Sequence, residues 1–277
     1  MSVLRVALLL ISVISVSACS SSSIGNRLNT AKSIVDQTGL TPVMIKTKKF
    51  SLVSFQKIRS KEHELTLYIE GDGFAWIDRY TISNNPTPIN PVGLKIAAVD
   101  ASMNVVYLPR PCQYVNLEAE TYCHNQYWTS HRFSNEVIQS YNQALDQLAK
   151  KYNVTGFHLV GFSGGGAVAT LLSAHRSDVL SLRTVAGNLD HVALNKFRNV
   201  SQLTGSLNPA SYANQLKKVP QIHYSGGDDE VVPSWVAVGF VRKVSSPCAK
   251  SKIISGVGHM DGWEQVWPRY ASQIPTC

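Results

Sequence analysis

Residues 157–175 read FHLVGFSGGGAVATLLSAH, an apolar run that passes through a G-x-S-x-G pattern into a run of small apolar residues. The first run predicts a strand and the last a helix, so Ser163 stands at a sharp strand-to-helix turn. Such a turn holds a serine in strained backbone geometry with its hydroxyl above the sheet edge, and Gly161 and Gly165 leave room for close chain passage. A Gly-Ser loop or an anion-binding turn is the alternative, and the absence of a following Gly-Lys-Ser/Thr excludes a P-loop. The flanking strand and helix favour a nucleophilic Ser163.

The chain around this turn alternates between strand and helix patterns. Short apolar runs rich in β-branched residues predict strands at 49–56, 64–70, 104–108, 156–161, 181–186, 220–225 and 252–256. Helical periodicity predicts helices at 134–152 and near 164–176, 233–243 and 263–273. Two leading strands followed by this alternation predict one α/β domain over residues 48–277, with a mostly parallel twisted sheet and helices on both faces.

Two later strand ends carry the base and the acid that a serine nucleophile needs. His259 follows one predicted strand, and Asp229 lies in a turn after the preceding one. Because the carboxyl ends of parallel strands lie at one edge of a sheet, these side chains can converge with Ser163. Asp228 is the nearest alternative acid, and Asp190, one strand earlier, is a more distant one.

Three motifs together resemble the α/β-hydrolase superfamily, and within it the small lipoprotein or secreted serine hydrolases of bacteria. They are GFSGG at 161–165, DDEVVP at 228–233 and GVGH at 256–259, in the superfamily's order of serine, acid and histidine. The resemblance implies an esterase-like serine hydrolase that cleaves carboxylic esters or thioesters through an acyl-enzyme, with no metal or organic cofactor. It assigns Ser163 as nucleophile and His259 as base. The family's D-x-V-V-P pattern falls on Asp229, which makes Asp229 the orienting acid.

The oxyanion hole of such an enzyme needs two backbone N–H groups. Gly164, directly after the nucleophile, is expected to supply one of them, and Asp72, in the loop after the strand at 64–70, the other. Members of the superfamily usually carry His-Gly where this chain has Glu70-Gly71, which leaves the second donor open. A cation bound by Glu70 and Asp72 is the alternative, although two acids without further oxygen ligands make a poor Ca²⁺ site.

The substrate-binding residues are the least determined by the sequence. Residues 109–133 follow a strand on the catalytic side, and Tyr114 and Trp128 from this segment are expected to wall an acyl pocket, with packing over the core as the alternative. Residues 188–219 form a short polar cap region. A short cap predicts a modest, fairly open pocket and favours an esterase, thioesterase or lysophospholipase over a triacylglycerol lipase.

The N-terminus carries an export signal. Residues 1–18, MSVLRVALLLISVISVSA, have an apolar run too short to span a bilayer and predict a signal peptide. Residues 16–19, VSAC, resemble the bacterial lipobox, which implies a lipidated (palmitate-bearing) Cys19 and a tether over residues 19–47; ordinary cleavage after Ala18 is the alternative. Ser20, where aspartate would retain a lipoprotein in the inner membrane, implies the outer membrane. We therefore expect a protein held in the bacterial cell envelope by a lipid anchor.

Four further cysteines agree with export. Cys112, Cys123, Cys248 and Cys277 form an even set without zinc-site spacing, so disulfides are expected. Sequence proximity favours Cys112–Cys123 and Cys248–Cys277 among the three possible pairings.

The charge distribution and the complete set of motifs limit the remaining functions. Lys and Arg number 26 against 18 Asp and Glu, for a net charge of +8, but the basic residues are scattered, which argues against nucleic-acid binding. The expected partner is a small ester or acyl substrate. A non-catalytic envelope scaffold on the same fold, or a peptidase or acyltransferase with the same three side chains, remains the competing hypothesis.

Overall fold

The computed structural model describes residues 23–277. The predicted signal peptide (1–18) and Cys19 lie outside the described residues. Within residues 23–277 no helix is both long enough and apolar enough to traverse a bilayer.

Strands and helices alternate along most of the described chain. The strands are β1 (Thr41–Lys46), β2 (Ser51–Ile58), β3 (Leu65–Ile69), β4 (Asn104–Leu108), β5 (Phe157–Phe162), β6 (Val179–Val185), β7 (Gln221–Gly226) and β8 (Ala249–Ile254). The α-helices are α1 (Ile24–Asp36), α2 (Val92–Ala98), α3 (Asn135–Tyr152), α4 (Gly164–His175), α5 (His191–Arg198), α6 (Trp235–Val244), α7 (Trp263–Val266) and α8 (Pro268–Ala271). Short 3₁₀ helices occupy Leu117–Ala119, Asn125–Trp128 and Pro209–Leu216.

The strands form one sheet in the order β1-β2-β4-β3-β5-β6-β7-β8. β1 and β2 pair antiparallel, β2 and β4 pair antiparallel, and every strand pair from β4 onward is parallel. The predicted mostly parallel sheet is therefore confirmed. Because successive strand residues point to opposite faces, Leu159 packs with α3 and α4 on one face, while Val160 packs with α1, α2, α7 and α8 on the other.

The N-terminal segment differs from the expected tether. Residues 24–36 form helix α1, and residues 41–46 form the edge strand β1. Ala31 and Val35 of α1 are buried in the core, and Ile45 of β1 is buried on the other face of the sheet. A tether over residues 19–47 is thus wrong from residue 24 onward. Hydrophobic periodicity does not predict these elements, because α1 buries few apolar side chains and the edge strand β1 leaves most of its side chains exposed.

The remaining predicted elements shift by a few residues. The helix predicted near 263–273 is divided into α7 and α8, because Pro268 has no N–H to continue the first helix. The last strand begins at Ala249 and ends at Ile254, ahead of the turn that contains Gly256 at a positive φ of 72°.

Both expected disulfides are present. Cys112 bonds Cys123, and Cys248 bonds Cys277. The first closes the loop after β4 against the core, where Cys112 is fully buried. The second ties the C-terminal residue to the start of β8.

A substitution in α1 tests whether this helix belongs to the folded domain. Ala31 is 2% exposed, so Ala31→Asp buries an unpaired carboxylate. We expect it to lower the free energy of unfolding by about 2 kcal/mol or more. The matched change Ser33→Asp lies on the exposed face of α1 and should alter stability by less than about 0.5 kcal/mol. Urea unfolding measures both, and equal stability of the two variants would show that the helix is not packed.

Candidate active site

The turn between β5 and α4 places Ser163 at the carboxyl edge of the sheet. Ser163 has φ 50° and ψ −117°, a backbone conformation that side-chain-bearing residues rarely adopt. The two glycines of the motif permit it. A Cβ on Gly161 would lie 2.2 Å from the carbonyl oxygen of Gly165, and a Cβ on Gly165 would lie 2.2 Å from that of Ile69. The Ser163 N–H donates to Val185 O at 2.9 Å, which fixes the turn to the end of β6.

Ser163, His259 and Asp229 form a continuous row of hydrogen bonds. His259 Nε2 lies 3.0 Å from Ser163 Oγ, and His259 Nδ1 lies 2.9 Å from Asp229 Oδ2. Because an ionised carboxylate only accepts, Nδ1 carries the hydrogen and Nε2 is free to accept the serine proton. Asp229 is held in turn by the N–H groups of Val231 and Val232, each 2.8 Å from its Oδ1. The predicted base, His259, therefore contacts both the predicted nucleophile and the predicted acid.

The two alternative acids lie elsewhere. Asp228 is exposed, and its backbone N–H donates to Val257 O at 3.0 Å. Asp190 caps the start of α5 through the N–H of Ala193 and forms an ion pair with Lys243 Nζ at 2.6 Å. Asp229, with its side chain fully buried against His259, is the acid that the structure pairs with the imidazole.

Two backbone N–H groups beside Ser163 make no hydrogen bond within residues 23–277. They belong to Gly164 and Asp72, the expected oxyanion-hole donors. The loop that carries Asp72 passes directly over the nucleophile, since a Cβ on Gly71 would lie 3.3 Å from Ser163 Cβ. Both N–H groups are thus available to an oxygen bound next to Ser163.

The Asp72 side chain holds this loop in place from one side. Its carboxylate accepts from Arg110 Nη1 at 2.8 Å and from Arg132 Nη1 at 2.5 Å. Burial alone would raise the pKa of the Asp72 carboxyl, but the charges of Arg132 and Arg110 outweigh burial and hold the pKa below its usual value. A Cβ on Gly164 would lie 2.0 Å from Asp72 Oδ1, so the carboxylate packs against the residue that follows the nucleophile. The sequence reasoning missed both arginines, because nothing local to either one marks it as a partner of Asp72.

The Glu70 side chain holds the same loop from below. Its carboxylate is buried and accepts the N–H of Gly71 at 2.8 Å, the N–H groups of Gly93 and Leu94 at 3.1 and 3.2 Å, and the hydroxyl of Tyr107 at 3.1 Å. Burial raises the pKa of Glu70, and these hydrogen bonds oppose that rise. The carboxylate oxygens of Glu70 and Asp72 accept hydrogen bonds from protein donors, which disfavours a cation bound between them. Glu70, which replaces the usual histidine, anchors the loop to α2.

A cavity of about 470 Å³ opens in front of Ser163 and His259. Its wall includes the Glu70-to-Phe74 loop, and apolar side chains complete it: Trp76, Pro88, Ile89, Phe162, Val231 and Met260. Trp76 and Arg132 also line an adjoining cavity of about 660 Å³, which lies beside Asn188 and the loop at 199–203. The pocket is open, as the short cap predicts.

The expected pocket residues Tyr114 and Trp128 do not line the cavity at Ser163, so that prediction is wrong. Tyr114 is buried edge-on against Phe55 at 6.0 Å between ring centroids. Trp128 is 6% exposed, and its Nε1–H donates to Ser83 O at 3.0 Å. The segment after β4 packs Tyr114 and Trp128 onto the core, whereas Tyr122 within the disulfide-closed loop is exposed. The aromatic residues that line the cavity are Phe74, Trp76 and Phe162. The only sequence signal of Trp76 is its position shortly after the 70–74 loop.

Comparison with known proteins adds information on the fold. No protein-family model and no curated protein matches the sequence. Solved structures do match. An esterase from Pyrococcus furiosus superposes with a TM-score of 0.61 at 13% identity, covering 87% of this chain and 90% of its own. An alpha-beta serine hydrolase homologue from Coxiella burnetii gives 0.56 at 15% identity, covering 84% and 94%. An acylaminoacyl peptidase from Pyrococcus horikoshii gives 0.58 at 12% identity, covering 84% of this chain and 39% of its own.

These neighbours share one fold, but one is named an esterase and another a peptidase, so they differ in the kind of bond that they cleave. The likeness therefore bears on architecture and leaves the substrate to the geometry of the site. The strand order, the nucleophile turn and the structural neighbours agree, and the chain has the α/β-hydrolase fold.

Proposed function

We propose that the chain is a serine hydrolase that cleaves carboxylic esters or thioesters through an acyl-enzyme. The observation that carries this proposal is the row Ser163 Oγ–His259–Asp229, with contacts of 3.0 and 2.9 Å, beside two N–H groups without an acceptor in the described residues. A hydroxyl, a base, an orienting carboxylate and oxyanion donors at one point are the requirements of acyl transfer.

The first half of the reaction acylates Ser163. Its Oγ attacks the carbonyl carbon while its proton passes to His259 Nε2, and the carbonyl electron pair moves onto oxygen. The N–H groups of Gly164 and Asp72 donate to this oxyanion, and Asp229 stabilises the imidazolium. The tetrahedral species then collapses, the bond to the leaving group breaks, and His259 returns the proton to that group.

The second half releases the acyl group. A water molecule gives a proton to His259 Nε2 as its oxygen attacks the acyl carbon, and the same N–H groups donate to the oxyanion that forms again. Collapse frees the carboxylic acid and returns the proton to Ser163 Oγ.

The charges around the hole support an anionic intermediate. The Asp72 carboxylate lies against Gly164, where by itself it would repel an oxyanion. Two guanidinium groups, from Arg110 and Arg132, outweigh its charge and leave the cluster net positive. Arg132 also lines the cavity, so part of this positive charge borders the space in front of Ser163.

The competing hypothesis of a non-catalytic envelope scaffold requires that the site lack a group needed for catalysis. A scaffold that had lost catalysis would be expected to lack one member of the hydrogen-bonded row or to block the donors. Here the row is complete and the cavity reaches both Ser163 and His259. The geometry thus supports an enzyme.

We also propose that the protein is anchored in the bacterial envelope through a lipidated Cys19. The support is the lipobox-like sequence at 16–19 and the two disulfides, which form and persist in oxidising compartments.

Covalent labelling tests the nucleophile. A fluorophosphonate probe should label the wild-type chain and fail to label Ser163→Ala, because the probe bonds an activated serine oxygen. Ser255→Ala, an exposed serine near His259 in sequence, serves as the control and should label like the wild type. Equal labelling of Ser163→Ala and the wild type would end the assignment.

An amide in place of the orienting carboxylate tests the acid. Asp229→Asn removes the acceptor that keeps the hydrogen on His259 Nδ1, so kcat for a p-nitrophenyl ester should fall by about 10³–10⁴ with little change in KM. The neighbouring change Asp228→Asn should leave kcat within about twofold of the wild type, since Asp228 is exposed and away from the imidazole. A larger loss from Asp228→Asn than from Asp229→Asn would reverse the assignment.

A series of p-nitrophenyl esters of increasing acyl length measures the depth of the pocket. Trp76 and Arg132 line both the cavity of about 470 Å³ and its neighbour, so activity should decline once the acyl chain outgrows the first cavity. Trp76→Ala joins the two spaces and should move the optimum to longer chains. Trp235→Ala is the matched control, because Trp235 is also 39% exposed and is not a lining residue of either cavity. An unchanged length profile in Trp76→Ala would contradict this division of the cavity.

A further inference from the structure

Exposed apolar side chains gather around the opening of the catalytic cavity. We name this set the mouth surface: Trp76, Ile77, Tyr80, Ile89, Phe197, Val200, Val231, Trp235 and Met260, each at least 37% exposed. Isolated exposed apolar residues are ordinary on protein surfaces, whereas a contiguous group marks a surface that binds something.

Contacts among its members show that the mouth surface is contiguous. Trp76, Ile89, Val231 and Met260 line the same cavity as Ser163. The ring of Phe197 at the end of α5 packs on Trp235, with centroids 5.5 Å apart. The neighbouring Arg198 donates to Val231 O at 3.1 Å, which joins the end of α5 to the cavity rim.

The first described helix starts beside this surface. Arg27 of α1 donates to Asn85 O and Thr87 O, and its guanidinium lies 4.5 Å from the ring of Phe74, a wall residue of the cavity. Ile24 and Leu28, one helical turn apart on α1, are 42% and 43% exposed. The apolar surface therefore continues toward the point where the described chain begins.

The chain that precedes α1 is short enough to hold this face against a bilayer. Cys19, the proposed lipid anchor, is four residues before Ser23, and four extended residues span at most about 14 Å. A lipid at Cys19 would thus enter the bilayer within reach of the cavity opening rather than behind the molecule.

Charged residues of both signs border the apolar side chains. The exposed basic ones are Arg79, Lys196 and Arg198, and the exposed acidic ones are Asp78, Glu230 and Asp261. Apolar side chains that include tryptophan and tyrosine, with charged residues around them, suit the boundary between acyl chains and lipid headgroups.

We propose that the mouth surface docks on a lipid bilayer, so that the catalytic cavity opens toward the membrane and takes its acyl substrate from it. Docking rests on the surface, on the position of α1 and on the proposed lipid at Cys19; only the supply of substrate rests on the proposed hydrolase activity. The bilayer is favoured over a protein partner because α1 begins beside this surface, four residues after Cys19 in the sequence.

Tryptophan quenching tests the docking directly. The full chain is mixed with vesicles of phosphatidylcholine and phosphatidylglycerol whose acyl chains carry bromine, a short-range quencher of indole fluorescence. Trp76 and Trp235 belong to the mouth surface, whereas Trp128, Trp263 and Trp267 are at most 6% exposed. We expect quenching in the wild type that is lost in the double variant Trp76→Phe, Trp235→Phe. Vesicle-bound protein whose fluorescence is unquenched, or a chain that does not bind the vesicles, would overturn the proposal.

Charged substitutions outside both cavities test the consequence for turnover. Ile77→Asp with Phe197→Asp should slow hydrolysis of an ester embedded in the same vesicles by about tenfold or more, since each loses a buried apolar contact with lipid. Hydrolysis of a soluble short-chain ester should be unchanged. Met103→Asp is the matched control, 50% exposed and placed before β4 at the opposite edge of the sheet.

The outcomes separate the two proposals. If neither ester is hydrolysed and Ser163 is not labelled, the proposed function fails, while bromine quenching still reports docking. Unchanged vesicle turnover in the double aspartate variant would contradict docking. So would a concentration-dependent dimer that this variant disrupts, in the absence of quenching, because a second copy would then cover the mouth surface.

Discussion

The close approach of the β5–α4 turn to the end of β3 is the constraint on which the site depends. Gly165 lies so near Ile69 that any side chain there would collide with its carbonyl oxygen. At this close approach Ser163 has a positive φ, and the Gly71–Asp72 loop lies over its side chain. Strain of this kind costs about 1–3 kcal/mol and persists only where the surroundings determine it. Here β6 and the loop after β3 supply those surroundings.

The carboxylates of Glu70, which is buried, and Asp72, which is partly buried, support this loop in opposite electrostatic ways. Glu70 has a raised pKa because burial outweighs the hydrogen bonds that it accepts, and it links the loop to α2. Asp72 has a lowered pKa because Arg132 and Arg110 outweigh burial. The Glu70 carboxylate thus serves mainly as an acceptor for backbone donors, and the Asp72 carboxylate joins two arginines to the loop beside Ser163. Glu70-Gly71 thus holds the loop in this chain at the position where α/β-hydrolases usually have His-Gly.

Short motifs and hydrophobic periodicity predicted the mostly parallel sheet and the positions of Ser163, Asp229 and His259. The G-x-S-x-G turn, the DDEVVP turn and the approach to His259 lie at ends of parallel strands, so topology alone brings their side chains together. Other features depend on contacts between distant residues. No local sequence pattern marks the arginine partners of Asp72, the packing of α1 or the burial of Trp128. Each depends on residues that are distant in the sequence. Tyr114 and Trp128 were misassigned for that reason.

Ser163 lies in the wall of an open cavity, hydrogen-bonded to His259, and this arrangement underlies the proposed acyl transfer. Mass spectrometry of the chain during turnover of a slowly deacylated p-nitrophenyl ester tests the central claim most directly. The account predicts a burst of p-nitrophenol equivalent to the protein present, with the acyl mass on the peptide that contains Ser163. Turnover with no acylated intermediate, or with the acyl group on another residue, would contradict it.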